Sequence, residues 1–505
     1  MSRIAPSRSL RTTYAPLAMA IALALAAANS NAATLIIDTT DVGTSPDHCS
    51  ITDAVTAINN QVAVGGCIAG NGTDDTIDLT HFSVPTTISL TAAAPMTSHA
   101  LMLSEPATIR GALASGGTPL VTIQRSTVTG TDAFGLISST SSLAIYGLSL
   151  TNGDAGTYSG GAIQAGGALI VHDSVIALNS ALIGGGINTL AAAEIKNSII
   201  SGNTAGSGGG LLAHGGASLT ATTIANNNAT DTGDYSGGGG IFASAPIQAD
   251  TVVFSGNTSA SAGGAIYATG GVAVVNSSFS GNSANGGSGG AIMDKIGNVY
   301  STMSTINNNT ASANGGGIYS AKASVTNSTI TGNEAGTDGG GVQADTFISA
   351  YSTIAQNTAA GSGGGVKFVS VGTAQATIIF GNTPDNLVTS GTAALTGQFN
   401  LVGVASGGGP SAGVPADTIS CDPLLAPLAD NGGLTQTMAL TGPNGSSPGS
   451  CAIDAASSTP PANITTDQRG YARTSGPGTS PKADIGAFEF GSSDPDVIFK
   501  DGFGD

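Results

Sequence analysis

The chain has 505 residues, 76 of them glycine and only 9% charged, and its 31 acidic side chains against 13 basic ones give a net charge of −18. A surface this acidic repels nucleic-acid phosphates and anionic lipid headgroups, so no nucleic-acid partner is expected. Beyond Ala28 no segment reaches the ~18 apolar residues a membrane helix needs, so no span is expected in the mature chain.

In chain order, Arg3, Arg8 and Arg11 precede an apolar stretch from Leu17 to Ala28 and then the small residues Ser30, Asn31 and Ala32. This is the layout of a secretory signal peptide over residues 1–32, cut between Ala32 and Ala33. The cut removes three basic residues and no acidic ones, leaving 10 against 31 and a net charge of −21. Residues 33–100 read as an N-terminal cap, with a strand at Thr34–Asp38, a helix over Thr52–Asn59 and a strand near Thr76–Leu79. The open core end of a solenoid needs such a cover. Two sequence-local cysteine pairs, Cys49 with Cys67 and Cys421 with Cys451, read as disulfides in an exported chain. A zinc site is the alternative, with no CxxC or clustered histidine to favour it.

Residues 101–390 hold a repeat in which a glycine pair is followed by an aliphatic residue: Ile163, Ile187, Leu211, Ile241, Ile266, Ile292, Ile318, Val342 and Val366. A second ladder keeps step with it: Asn179, Asn203, Asn227, Asn257, Asn282, Asn309, Asn333, Asn357 and Asn382. Both recur at intervals of 24 to 30 residues. A fixed period of this size marks a solenoid whose units bury their apolar faces by stacking. The units are short runs of Val, Ile, Thr and Ser between Gly and Asn turns, which excludes helical repeats, and propeller blades need roughly 40 residues. The fold class is therefore all-β: a right-handed, single-stranded parallel β-helix of three short strands per coil, with an N-terminal cap and a loop-rich C-terminal segment. Stacked apolar side chains such as Phe279, Ile306, Ile330 and Ile354 form the core. The ladder asparagines are expected to turn a corner in the left-handed region and to bond to one another along the axis. Glycine is expected to supply positive φ at the opposite corner.

Gly264-Ala265-Ile266 with Phe254-Ser255-Gly256-Asn257, and Gly290-Ala291-Ile292 with Phe279-Ser280-Gly281-Asn282, resemble the paired GGAI and FxxN motifs of chlamydial polymorphic outer-membrane protein repeats. The resemblance covers about 160–382 and implies a secreted, surface-associated β-helix. Cys49 to Val55, followed by Asp75-Thr76-Ile77, resembles the CSLREAI domain of exported bacterial β-helix proteins, departing from it at Ile51 and Thr52. Residues 391–490 resemble the choice-of-anchor Q domain through Asp422-Pro423-Leu424-Leu425, Asp430-Asn431-Gly432-Gly433, Asp467-Gln468-Arg469-Gly470 and Asp484-Ile485-Gly486-Ala487-Phe488-Glu489. That resemblance implies an exported bacterial protein. Residues 491–505 form an acidic tail and a candidate sorting signal. Nothing after Asn382 shows the series of alternating ~10-residue strands of a membrane barrel.

Parallel β-helices often act on polysaccharides, which requires a catalytic set of side chains. Lyases of this shape need clustered carboxylates beside an Arg or Lys, and glycosidases need two opposed carboxylates. Between Gly160 and Asn382 there is no arginine, and the lysines are Lys196, Lys295, Lys322 and Lys367. Asp231 and Asp234 lie in the one 30-residue interval and are read as a solvated loop. His214 lacks the companions of a hydrolase site, Asp173 fills a position held by asparagine in other coils, and Asp74 and Asp75 belong to the cap. No catalytic residue, metal or cofactor is assigned; a lyase or hydrolase is the alternative function. The residue after each aliphatic anchor should point outward, and in four coils it is Phe242, Tyr267, Met293 and Tyr319. This apolar stripe is expected to be exposed and to contact a surface glycan or a host or partner protein.

Overall fold

The structure is a computed structural model that describes residues 32–72, 74–94, 97–233, 236–390, 393–403, 418–419, 421–444, 448–473 and 482–492. Of the expected leader only Ala32 falls among them, and of the acidic tail only Gly491 and Ser492; Asp234 also lies outside. The chain divides into two compact units, Met1–Ala181 with Gly186–Ser198 and Ala213–Leu219, and Leu182–Gly185 with Ile199–Leu212 and Thr220–Asp505. Each is a parallel β-solenoid.

In the first unit, Thr34–Ile36 pairs with Asp75–Leu79, and the ladder continues in parallel through Ala107–Gly111, Leu143–Tyr146, Leu169–His172 and Ala193–Lys196. A second ladder runs from Thr86–Leu90 to Val175–Ala177, and a third from His99–Leu103 to Ile187–Thr189. The parallel ladder thus already runs through residues 33–100. The helix Ile51–Asn60 starts where the Ser50 hydroxyl accepts the Asp53 N–H, and it buries Ile51, Ala54, Val55, Ala57 and Ile58. Asn59 ties it to the third ladder, donating to the Met102 carbonyl and accepting the Ser104 N–H at 2.9 Å. Cys49 and Cys67 form a disulfide beside its first turn.

In the second unit each coil lays short strands on three faces. Ile241–Ala243 and Ile247–Asp250 share one sheet, Val253–Ser255 lies in a second and Thr258–Ser259 in a third. They pair in parallel, residue for residue, with the corresponding strands of the next coil. In later coils the first two segments fuse into one strand, as in Ile318–Thr326 and Val342–Ala350. The aliphatic anchors from Ile241 to Val366 are fully buried, and Phe279, Ile306, Ile330 and Ile354 stack in the expected register. Cys421 and Cys451 form the second disulfide.

The asparagine ladder is continuous from Asn203 to Asn382. Each buried Oδ1 accepts both the backbone N–H and the Nδ2–H of the preceding ladder asparagine; Asn282 gives both to Asn309, at 2.9 and 2.8 Å. Asn386 ends the series by accepting both from Asn382. The left-handed corner, however, falls one residue earlier than expected. It is at Gly202, Asn226, Gly256, Gly281, Asn308, Gly332, Gln356 and Gly381, and no ladder asparagine has positive φ. The preceding residue turns the chain so that the asparagine side chain points inward. Glycine does supply the opposite corner, as at Gly263 with φ 64°. Its partner Gly264 is required by close approach, because a Cβ there would meet the Gly290 carbonyl.

A second polar row keeps step with the asparagines, five residues before each except Asn257. Ser277, Ser304, Ser328 and Ser352 are fully buried, and each accepts the N–H of its counterpart one coil earlier at 3.1–3.3 Å.

Two substitutions test this register. Ile330→Asp would bury an unpaired charge and should cost ~4 kcal/mol or more, read as collapse of the cooperative melt. Asn309→Ala leaves two buried Asn282 N–H groups without their acceptor and should cost about 3 kcal/mol in denaturant titration. A wild-type midpoint for either variant would contradict the ladder described here.

Candidate functional site

The outward row lies on the strands that begin at the aliphatic anchors. Parallel pairing places Phe242 beside Tyr267, Tyr267 beside Met293, Met293 beside Tyr319 and Tyr319 beside Gln343. The four apolar side chains are adjacent, as expected, but not freely exposed. Tyr267 is 4% exposed and Met293 7%, whereas Phe242 and Tyr319 are half-buried. The cause is the coil spacing. Rings one coil apart lie face to face, Phe242 over Tyr267 at 5.1 Å and 4°, and Ala262 packs against the middle of the row. The accessible surface is therefore the flanks at Phe242 and Tyr319. Beyond Gln343 the register continues to Lys367, whose ammonium pairs with Asp338 at 2.8 Å. The Asp338 carboxyl lies below its ordinary range; burial opposes this, but hydrogen bonds from Lys367 and Ser362 and the Lys367 charge prevail.

A different face of the second unit is covered by the C-terminal segment. The first residue of each strand in the second sheet faces outward, and Ile199 and Val253 are 44% and 42% exposed there. Thr305, Thr329, Thr353 and Ile378, at the same position, are at most 1% exposed. Gln468 explains much of this. Its Nε2 donates to Thr305 Oγ1, Thr435 Oγ1 and the Gln436 carbonyl, each at 2.9 Å, and its Oε1 accepts from Thr329 Oγ1 at 2.7 Å. The Thr353 hydroxyl accepts the Ala487 N–H, and the Ala376 carbonyl accepts the Gly486 N–H.

Behind this contact sits a buried charge cluster that sequence reasoning missed. Arg473 stacks on Tyr351 with its Cζ 4.4 Å from the ring centre, donates to Asn327 Oδ1 and the Gly486 carbonyl, and pairs with Glu489 at 3.5 Å. Arg469 pairs with Asp467 at 2.7 Å and lies over Phe488. Asp484 accepts the backbone N–H groups of Asp454 and Phe490. Burial, reinforced by the Glu489 charge, pushes its carboxyl up to about 7. Every member is engaged within the protein, so the cluster fastens the segment to the coils.

The other sequence candidates are dispersed. Asp231 and His214 are exposed, and His214 is held through its backbone N–H on the Thr189 carbonyl. Asp173 takes φ 52° and accepts from Asn197 Nδ2 at 3.1 Å, a structural role at a position other coils fill with asparagine. Asp294, fully buried, accepts the N–H groups of Gly271 and Gly297, and burial raises its carboxyl above the ordinary range. Among the described residues no three His, Cys, Asp or Glu side chains gather as a metal-binding group.

Residues 251–269 and 304–321 match the Chlamydia polymorphic membrane protein repeat. No curated protein and no solved structure matches the chain. The two matched stretches contain Tyr267 and Tyr319 of the outward row and Asn257 and Asn309 of the ladder.

The Asp484 carboxyl gives a pH signature. Its folded pKa lies above the ordinary value, so the native state holds a proton between about pH 4 and about pH 7 that the unfolded chain releases. The resulting stability is present at low pH and is lost as pH rises through about 7. Asp484→Asn imitates the protonated carboxyl and should gain on the wild type in thermal melts between pH 5 and pH 8. A difference in melting temperature that does not change with pH would refute the assignment.

Proposed function

We propose that this chain is exported to the cell surface and acts there as a non-catalytic β-helix scaffold whose outward aromatic row contacts a surface glycan or a partner protein. The observation that carries this reading is that two residues of the row, Tyr267 and Tyr319, lie in the stretches that match the Chlamydia polymorphic membrane protein repeat, a match that supports a surface or outer-membrane β-helix. The physical case rests on preorganisation. Phe242 and Tyr319 are held by their stacked neighbours, so little side-chain entropy remains to be lost on contact. Aromatic flanks suit both the apolar faces of sugars and protein surfaces. A scaffold without turnover agrees with the coil acids, several of which serve the backbone or a neighbouring coil: Asp173 with Asn197, Asp294 with Gly271 and Gly297, Asp338 with Ser362 and Lys367.

Replacing Phe242 and Tyr319 together by Ser should reduce attachment of displaying cells to glycan or host surfaces by about tenfold, with a drop of only a few degrees in melting temperature. Tyr267→Ser, at a buried position, should instead show chiefly as lost stability. Unchanged attachment by the double variant would return the row to architecture. Turnover of a polyuronate that Asp231→Ala abolishes would replace the scaffold with an enzyme.

A further inference from the structure

Asp75 is fully buried at the start of the first unit's ladder. Its Oδ1 accepts the backbone N–H of Ala33 at 2.8 Å, and its Oδ2 accepts those of Asn71 and Gly72 at 2.9 and 3.4 Å. None of the ion pairs among the described residues reaches it. A buried carboxylate bonded only to neutral donors forgoes the stabilisation an adjacent cation would give. The same Ala33 lies at the junction that the sequence marks for cutting. Its carbonyl accepts the Thr76 N–H at 2.8 Å and Thr34 pairs with Thr76, so Ala33 is fixed on both sides, whereas Ala32 is exposed.

We propose that cutting between Ala32 and Ala33 creates the missing cation: the new α-ammonium group of Ala33 forms an ion pair with Asp75 and locks the first coil. A signal endopeptidase adds water across the Ala32–Ala33 amide. The C–N bond breaks, Ala32 departs as a carboxylate, and Ala33 keeps the nitrogen, which takes up a proton to become ammonium. The nitrogen already stands 2.8 Å from Oδ1, so a neutral donor becomes a charged one with no rearrangement. Charge-assisted bonds of this type are roughly twice as strong as neutral ones. The position is specific, because one extra residue would carry the ammonium roughly 3.5 Å further along the chain, past the carboxylate. Asp75 thereby reads where the chain was cut. The inference rests on the export reading and adds a function for the processed terminus.

Full-length mature protein expressed with its leader in an exporting host is first mapped by mass spectrometry, and a terminus at Ala33 is expected. An uncut chain would overturn both the export reading and this inference; a cut at another residue would overturn this inference alone. The protein starting at Ala33 and one starting at Ala32 are then compared, each with Asp75 and with Asp75→Asn. The substitution should raise the unfolding equilibrium constant about tenfold more in the Ala33 form than in the Ala32 form. Equal penalties would overturn the ion pair. Should Asp75→Asn fail to fold, the two wild-type forms and an Nα-acetylated Ala33 form decide: the free Ala33 form should melt highest, and three equal midpoints would overturn the proposal.

Discussion

The buried asparagine ladder is the constraint on which every coil of the second unit depends. Each Oδ1 is the acceptor for two buried donors of the coil before it, so a coil lacking its asparagine would orphan groups in its neighbour. The consequence is visible in the spacing. From aliphatic anchor to ladder asparagine the chain always takes 15 to 17 residues, whereas from asparagine to the next anchor it takes 8 to 14. Most of the length variation falls in the turn after the asparagine. The extra residues of the long interval all fall between Asn227 and Ile241, the stretch that contains Asp231.

The same logic separates what was legible in the sequence from what was not. The core columns and both ladders could be read because parallel stacking repeats one environment in every coil, so one residue type recurs at one phase. The position of the left-handed corner was off by one. Asn226-Asn227 and Asn308-Asn309 present two asparagines side by side, and only the backbone shows which one turns. The buried serine row does recur in phase, with Ser or Thr five residues before every ladder asparagine except Asn257, but Ser and Thr also fill the exposed turns of the same coils, so the period alone did not mark the row as buried. The contact of the C-terminal segment was out of reach for another reason. Gln468 meets Thr329 across 139 residues, with no period to announce it.

The outward faces follow a different rule from the core. Along a parallel stack, side chains at one register stand a coil apart whether they face in or out, so an outward ring is covered on two sides by its neighbours. Alternation therefore predicted the direction of Tyr267 and Met293 correctly but not their burial. Only the ends and flanks of such a row remain accessible, which makes a contact surface from a column of residues at the cost of most of its area. The threonines at 305, 329 and 353 show the other outcome, a column covered by a distant part of the same chain.

These two outcomes occupy different sheets: Thr305 and Thr329 pair in one, Met293 and Tyr319 in another. Polar hydroxyls spaced by the coil repeat offer donors and acceptors that a segment with Gln468 and Arg473 can satisfy, and the buried charges behind it raise the penalty for misplacing it. A row of rings offers no such directional bonds. It discriminates among partners by shape and apolar area, which suits a surface meant to meet something outside the chain, whereas the hydrogen-bonded column suits a contact that must form once and in one register.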